Sequence, residues 1–126
     1  MSPDVLVVED EPDLRSSVAE ILRHAGYEVQ EAGDGVEALA LLASRPIRAV
    51  LLDLRMPRCS GTALLDALVD PPPVLVVSAH HLEESERARL GPKVVAVLKK
   101  PVPPAQLLER VAAVLQAEPA RARGER

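Results

Sequence analysis

Five short apolar runs recur along this chain, separated by segments of helical periodicity. They are Val5-Leu6-Val7-Val8, a weaker one around Tyr27 to Val29, Ala49-Val50-Leu51-Leu52, Val74-Leu75-Val76-Val77 and Val94-Val95-Ala96-Val97-Leu98. A strand that is apolar at every position, rather than at alternate ones, is buried on both faces. That environment is a parallel sheet between two layers of helices. Residues 12–25 place Leu14, Val18, Ile21, Leu22 and Ala25 on one stripe at helical spacing, with Pro12 where a helix starts and Gly26 where one stops. Residues 35–44 carry Val36, Leu39, Ala40 and Ala43 on one side. Residues 61–69 and 104–117 repeat the pattern, and residues 82–90 form a weaker, charged fourth helix. Five strands alternating with five helices predict a doubly wound α/β domain.

The length of 126 residues suits one domain with its own core. Residues 1–117 are expected to form it. Residues 118–126, rich in Ala, Arg, Gly, Pro and Glu, are expected to be a flexible tail or linker stub. Tyr27 is the sole aromatic residue, so Leu, Val, Ile and Ala must build the core, and stacking platforms for single-stranded nucleic acid are absent. A net charge of -4 gives no basic surface for nonspecific nucleic-acid or membrane binding. Cys59 stands alone and cannot form an internal disulfide, which suits a reducing compartment. The first residues lack the basic flank of a secretory signal, and no apolar stretch reaches the roughly 20 residues of a membrane span. A cytoplasmic location is expected.

The residues just after each apolar run carry the chemistry. Val8 precedes Glu9-Asp10, Leu52 precedes Asp53, Val77 precedes Ser78, and Leu98 precedes Lys99-Lys100-Pro101. Open parallel α/β sheets bind ligands beyond the carboxyl ends of their strands. Glu9, Asp10 and Asp53 would meet there against one ammonium, from Lys99 or Lys100. Carboxylates that close repel or rise in pKa, and a divalent cation removes the conflict. Oxygen ligands suit Mg²⁺, which shares its shell with water and phosphate oxygens. A carboxylate can also attack phosphorus, a transfer that depends on position and charge compensation.

These pieces together resemble the receiver domains of response regulators. The resemblance runs over residues 3–117, on Val7-Val8-Glu9-Asp10-Glu11-Pro12, Leu51-Leu52-Asp53-Leu54-Arg55-Met56-Pro57 with Gly61, Val77-Ser78-Ala79, and Lys100-Pro101. It implies a sheet of order 2-1-3-4-5, as in flavodoxin-like folds. It also implies that Asp53 is the phosphoacceptor and that Mg²⁺ is held by Glu9, Asp10, Asp53 and the backbone carbonyl of Arg55. Ser78 would hydrogen-bond the phosphoryl group and Lys100 would pair with Asp53, with a cis peptide before Pro101. The implied donor is a sensor histidine kinase or phosphotransfer protein, and the implied output is altered binding to a downstream protein. The domain would assist its own phosphorylation rather than turn over a substrate. The resemblance leaves open a homodimer through the fourth helix, fifth strand and fifth helix.

Each of these residues also has a plainer reading. Asp10 is a good helix cap, Asp53 a loop carboxylate, Ser78 a turn residue, and Lys99 and Lys100 solvated charges. His80 and His81 are adjacent, poorly placed to share one ion, and expected in solvent. His24 suits a helix end. Their convergence on one sheet edge favours the functional reading. Many receivers carry Tyr or Phe where this chain has Val97, so a rotating aromatic cannot relay the signal. That departure supports an alternative, a degenerate receiver that binds partners without phosphorylation. An aspartyl-phosphate phosphatase of the haloacid dehalogenase type would need an aspartate where Arg55 stands.

Overall fold

The five apolar runs become five strands: β1 (Asp4–Val8), β2 (Glu28–Ala32), β3 (Ile47–Asp53), β4 (Val74–Ser78) and β5 (Val94–Lys99). In the computed structural model they pair in parallel as one sheet of order β2-β1-β3-β4-β5. The structure describes residues 4–54, 61–69, 71–79, 84, 87–88, 91 and 93–124. Its helices are α1 (Pro12–His24), α2 (Gly35–Ser44), α3 (Gly61–Ala67) and α4 (Pro104–Gly124). Of the expected helix over 82–90, only residues 84, 87 and 88 are described, each helical; the rest lie outside the described residues. The α/β doubly wound fold and its strand order are as the sequence implies.

Successive side chains of a strand point to opposite faces, and here each face has its own core. Leu6, Val8, Val50, Leu52, Val74 and Val76 face α2 and α3 and meet Ala38, Leu64, Leu65 and Leu68. Val5, Val7, Ala49, Leu51 and Leu75 face α1 and α4 and meet Ala19, Leu22, Leu107, Val111 and Leu115. Fully burying a Leu or Val contributes about 1.5–3 kcal/mol. This double burial explains why β1, β3 and β4 read as unbroken apolar runs. β2, at one edge, buries only Val29 and Ala32, hence its faint signal. β5, at the other edge, leaves Val95 exposed.

Local chemistry sets the helix ends. Pro12 opens α1. After α1, Gly26 adopts φ 102°, a conformation open to glycine. The Gly26 N–H donates to Arg23 O (2.9 Å) and the Tyr27 N–H to Leu22 O (3.2 Å), which closes the last turn. At α2, Asp34 Oδ1 accepts from the Glu37 N–H at 2.8 Å, and Glu37 Oε1 accepts from the Gly33 N–H at 2.6 Å.

Two sequence expectations need adjustment. The stripe Val36, Leu39, Ala40 and Ala43 of α2 faces outward, with Val36 78% exposed. α2 is apolar on nearly every side, and the sheet takes the face carrying the small residues Gly35 and Ala38, which lets the helix sit close. The last helix is expected to end at 117, whereas helical backbone continues to Gly124.

Candidate functional site

Four strands end at one rim of the sheet. Val8 pairs with Leu52, so Glu9 emerges level with Asp53, the last residue of β3. Asp53 pairs with Val77, so Ser78 lies one step beyond it. Ser78 pairs with Lys99, and the Lys100 N–H donates to Ser78 O at 2.8 Å. The peptide between Lys100 and Pro101 is cis.

The rim gathers opposite charges in a sheltered place. Carboxylate oxygens of Glu9, Asp10 and Asp53 lie within 4.8 Å of one another. Glu9 and Asp53 are each 7% exposed and Ser78 only 1%. Lys100 Nζ donates to Glu9 Oε1 at 3.1 Å and to Asp53 Oδ2 at 3.3 Å. The ambiguity between the two lysines is thereby resolved: Lys99 is exposed, and Lys100 reaches the carboxylates. Asp10 does not occupy the cap of α1; that position belongs to Glu11, whose side chain makes no capping bond. Glu9 Oε2 instead accepts from the Glu11 N–H at 3.2 Å. The Arg55 carbonyl, His80, His81 and Cys59 lie outside the described residues.

The electrostatics of the rim are strained by burial. Desolvation pushes the Glu9 carboxyl up to about 7, and the neighbouring Asp53 adds to it; the Lys100 ammonium and the Glu11 N–H pull the other way and are outweighed. For Lys100, burial lowers the pKa, but the Glu9 and Asp53 carboxylates together raise it above the ordinary lysine value. Folding thus makes Glu9 hold its proton more tightly than the unfolded chain does. Its ionisation lowers the stability of the metal-free domain as pH climbs from 4.5 towards 7. Three carboxylates against one ammonium leave an excess of negative charge. The donor set, all oxygen and largely buried, fits a hard divalent cation.

Two features escape a reading of the sequence. Arg15 on α1 reaches back so that Nη1 donates to Glu9 O at 2.8 Å. In sequence it looks like any solvated helix arginine. Beside the rim, an apolar groove of about 520 Å³ runs between α1 and the start of α4, walled by Leu14, Val18, Ile21, Val77, Val102 and Leu107. Its lining residues come from two helices, three strands and the stretch after β5, and no single pattern announces it. Val97, where many receivers have an aromatic, packs half-buried against the α2–α3 core.

The chain is similar to known proteins in sequence and in fold. A family profile for the response regulator receiver domain matches residues 5–112. A response regulator receiver protein of Anaeromyxobacter sp. strain Fw109-5 is 39% identical over 107 residues, covering 82% of this chain and 45% of that protein. The response regulator MprA of Mycobacterium bovis is 37% identical over 92% of this chain and 52% of its own length. The chain spans about half the length of these curated relatives. Among solved structures, the Vibrio cholerae chemotaxis protein CheY4 superposes with a TM-score of 0.83 at 30% identity, covering 91% of this chain and 100% of that one. NtrX of Brucella abortus does so with a TM-score of 0.89 at 31% identity, over 99% of this chain and 30% of its own. On its sequence, its strand order and its acidic rim, the chain belongs to the response regulator receiver domain family, the regulatory domains of two-component signalling.

Proposed function

We propose that Asp53 accepts a phosphoryl group from the phosphohistidine of a sensor kinase or phosphotransfer protein in a Mg²⁺-dependent reaction. The new charge then changes which downstream protein the domain binds. The observation that carries this reading is the meeting of the Glu9, Asp10 and Asp53 carboxylates within 4.8 Å, with Lys100 Nζ on two of them.

In this reading an Asp53 carboxylate oxygen attacks phosphorus as the bond from phosphorus to the donor's imidazole nitrogen breaks. The electron pair stays on that nitrogen, which takes a proton from solvent. Phosphoryl transfer asks the protein for position and charge compensation. β3 supplies position, since Asp53 ends a strand buried on both faces. Lys100 supplies charge: its ammonium holds Asp53 before transfer and pairs with a phosphoryl oxygen afterwards. Ser78 donates its hydroxyl to another phosphoryl oxygen. Glu9, Asp10, Asp53 and the Arg55 carbonyl would hold Mg²⁺, which would supply positive charge to offset the negative charge of the transferred group. The domain acts on itself and releases no product other than phosphate on later hydrolysis. The encounter with the kinase would take place in the cytoplasm; among the described residues no helix is long and apolar enough to cross a membrane.

Intact-protein mass spectrometry after incubation with acetyl phosphate tests the proposal. One phosphoryl mass is expected on the wild type with Mg²⁺, little without it, and none on Asp53→Asn. Equal labelling of Asp53→Asn, or none of the wild type, rejects it.

A further inference from the structure

We infer that Arg15 is a positioning residue of the acidic rim: its guanidinium fixes the Glu9 peptide, and residue 33 is glycine because that guanidinium occupies the space of a side chain there. The inference rests on the proposal that the rim holds Mg²⁺.

Glu9 is held from both sides. Its N–H donates to Ala32 O at 3.0 Å, a contact that continues the β1–β2 ladder. Its C=O accepts from Arg15 Nη1 at 2.8 Å. With both flanking peptides fixed, the Glu9 side chain keeps only its own torsions, and its oxygens are taken by the Glu11 N–H and Lys100 Nζ. The carbonyl of Glu9 belongs to the same peptide as the N–H of Asp10, so the contact orients both acids.

Arginine suits this task because its planar fork can face two acceptors at once. While Nη1 holds the Glu9 carbonyl, Nε lies 3.6 Å from Glu31 Oε1. Glu31 is steadied in turn by Arg23 Nη1 at 3.0 Å. The guanidinium therefore ties the loop after β1 to the end of β2. Its location runs against general preference, since a cation in the first turn of a helix opposes the helix dipole. The carbonyl and the Glu31 carboxylate offset that cost.

Gly33 supplies an independent observation. A Cβ there would stand 2.9 Å from Arg15 Nη1 and 3.2 Å from Glu37 Oε1. Its φ lies outside the left-handed region, so backbone conformation does not demand glycine; the close guanidinium favours it. Arg15 Nη1 is the far end of a flexible chain and can yield to an added methyl group. A shift of that kind would weaken its hold on the Glu9 carbonyl. Gly33→Ala should therefore reproduce the loss of Arg15 without changing any charge.

The test uses wild type, Arg15→Ala, Gly33→Ala and the double variant. Mg²⁺ affinity is measured by calorimetry, and amide hydrogen exchange of Glu9 and Glu11 is followed by NMR in metal-free protein. Loss of a group that orients a metal ligand typically weakens binding about 10–100-fold, and about tenfold is expected for each single variant. The double variant should also lose about tenfold, because both changes remove one contact. Faster Glu9 and Glu11 exchange should accompany each. Wild-type affinity in either single variant overturns the inference, as does a multiplied loss in the double. If Arg15→Ala fails to fold, Gly33→Ala decides alone. If wild type takes up no Mg²⁺, the assignment of the rim as a metal site fails, and the exchange data still decide the clamp: unchanged Glu9 and Glu11 exchange overturns it.

Discussion

Lys100 stands where an ammonium and a metal ion would compete for the same oxygens, 3.1 Å from Glu9 and 3.3 Å from Asp53. Its removal therefore has two opposite consequences. In metal-free protein, Lys100→Met removes an ammonium from two largely buried carboxylates. The loss of a charged hydrogen-bond partner costs about 1–3 kcal/mol, towards the lower end here because the lysine side chain keeps 25% of its surface in water. With Mg²⁺ present, the competitor is gone, and the cation should bind several-fold more tightly. Phosphoryl uptake should nevertheless fall at least tenfold, since no ammonium meets the transferred group. Urea unfolding with and without Mg²⁺, beside a phosphorylation time course, separates these effects. A variant as stable as wild type without metal, or one that takes up phosphate normally, contradicts this account of Lys100.

At the scale of elements, α3 owes its end to a residue far along the chain. Lys93 Nζ donates to Leu65 O at 2.6 Å and to Leu68 O at 2.9 Å, placing a positive charge at the carbonyl end of the helix just before β5 begins. Lys93→Met should destabilise the domain by about 1–3 kcal/mol yet leave the initial rate of phosphoryl uptake within twofold of wild type. Unaltered stability in urea refutes the anchor. This contact shows which parts of the molecule a sequence can display. β1, β3 and β4 are readable because burial on both faces writes itself as a continuous apolar run. β2 is faint because an edge strand needs only Val29 and Ala32 inside. The outward face of α2 is easily misread because a helix apolar all round has no single stripe, and the sheet takes the small residues. Glu9, Asp10, Asp53 and Ser78 are legible because each follows or ends a strand and the fold rule sends strand ends to one rim. The choice of Lys100 over Lys99 comes from family resemblance, not from spacing. Lys93 and Arg15 are illegible, since each acts through backbone carbonyls, which no residue pattern records.

For the whole molecule, the rim concentrates negative charge that the unfolded chain spreads out. Glu9 and Asp10 lie far along the sequence from Asp53, and only the β1–β3 pairing brings them level. A divalent cation should then bind the folded domain and almost ignore the unfolded one. Binding to the native state alone stabilises by about 2.7 kcal/mol at a hundredfold excess over the dissociation constant. For a domain of this length that corresponds to a rise in Tm of roughly 10 °C. The rise is site-specific, so NaCl at matched ionic strength should give much less, because the carboxylates need two charges at one point rather than a screening atmosphere. Asp10→Asn, which removes one of the three carboxylates, should lose more than half of the Mg²⁺-dependent rise. Melting curves over a Mg²⁺ titration provide the check. An equal shift in NaCl, or an undiminished one in Asp10→Asn, places the cation elsewhere and separates the fold's acidic rim from the metal chemistry proposed for it.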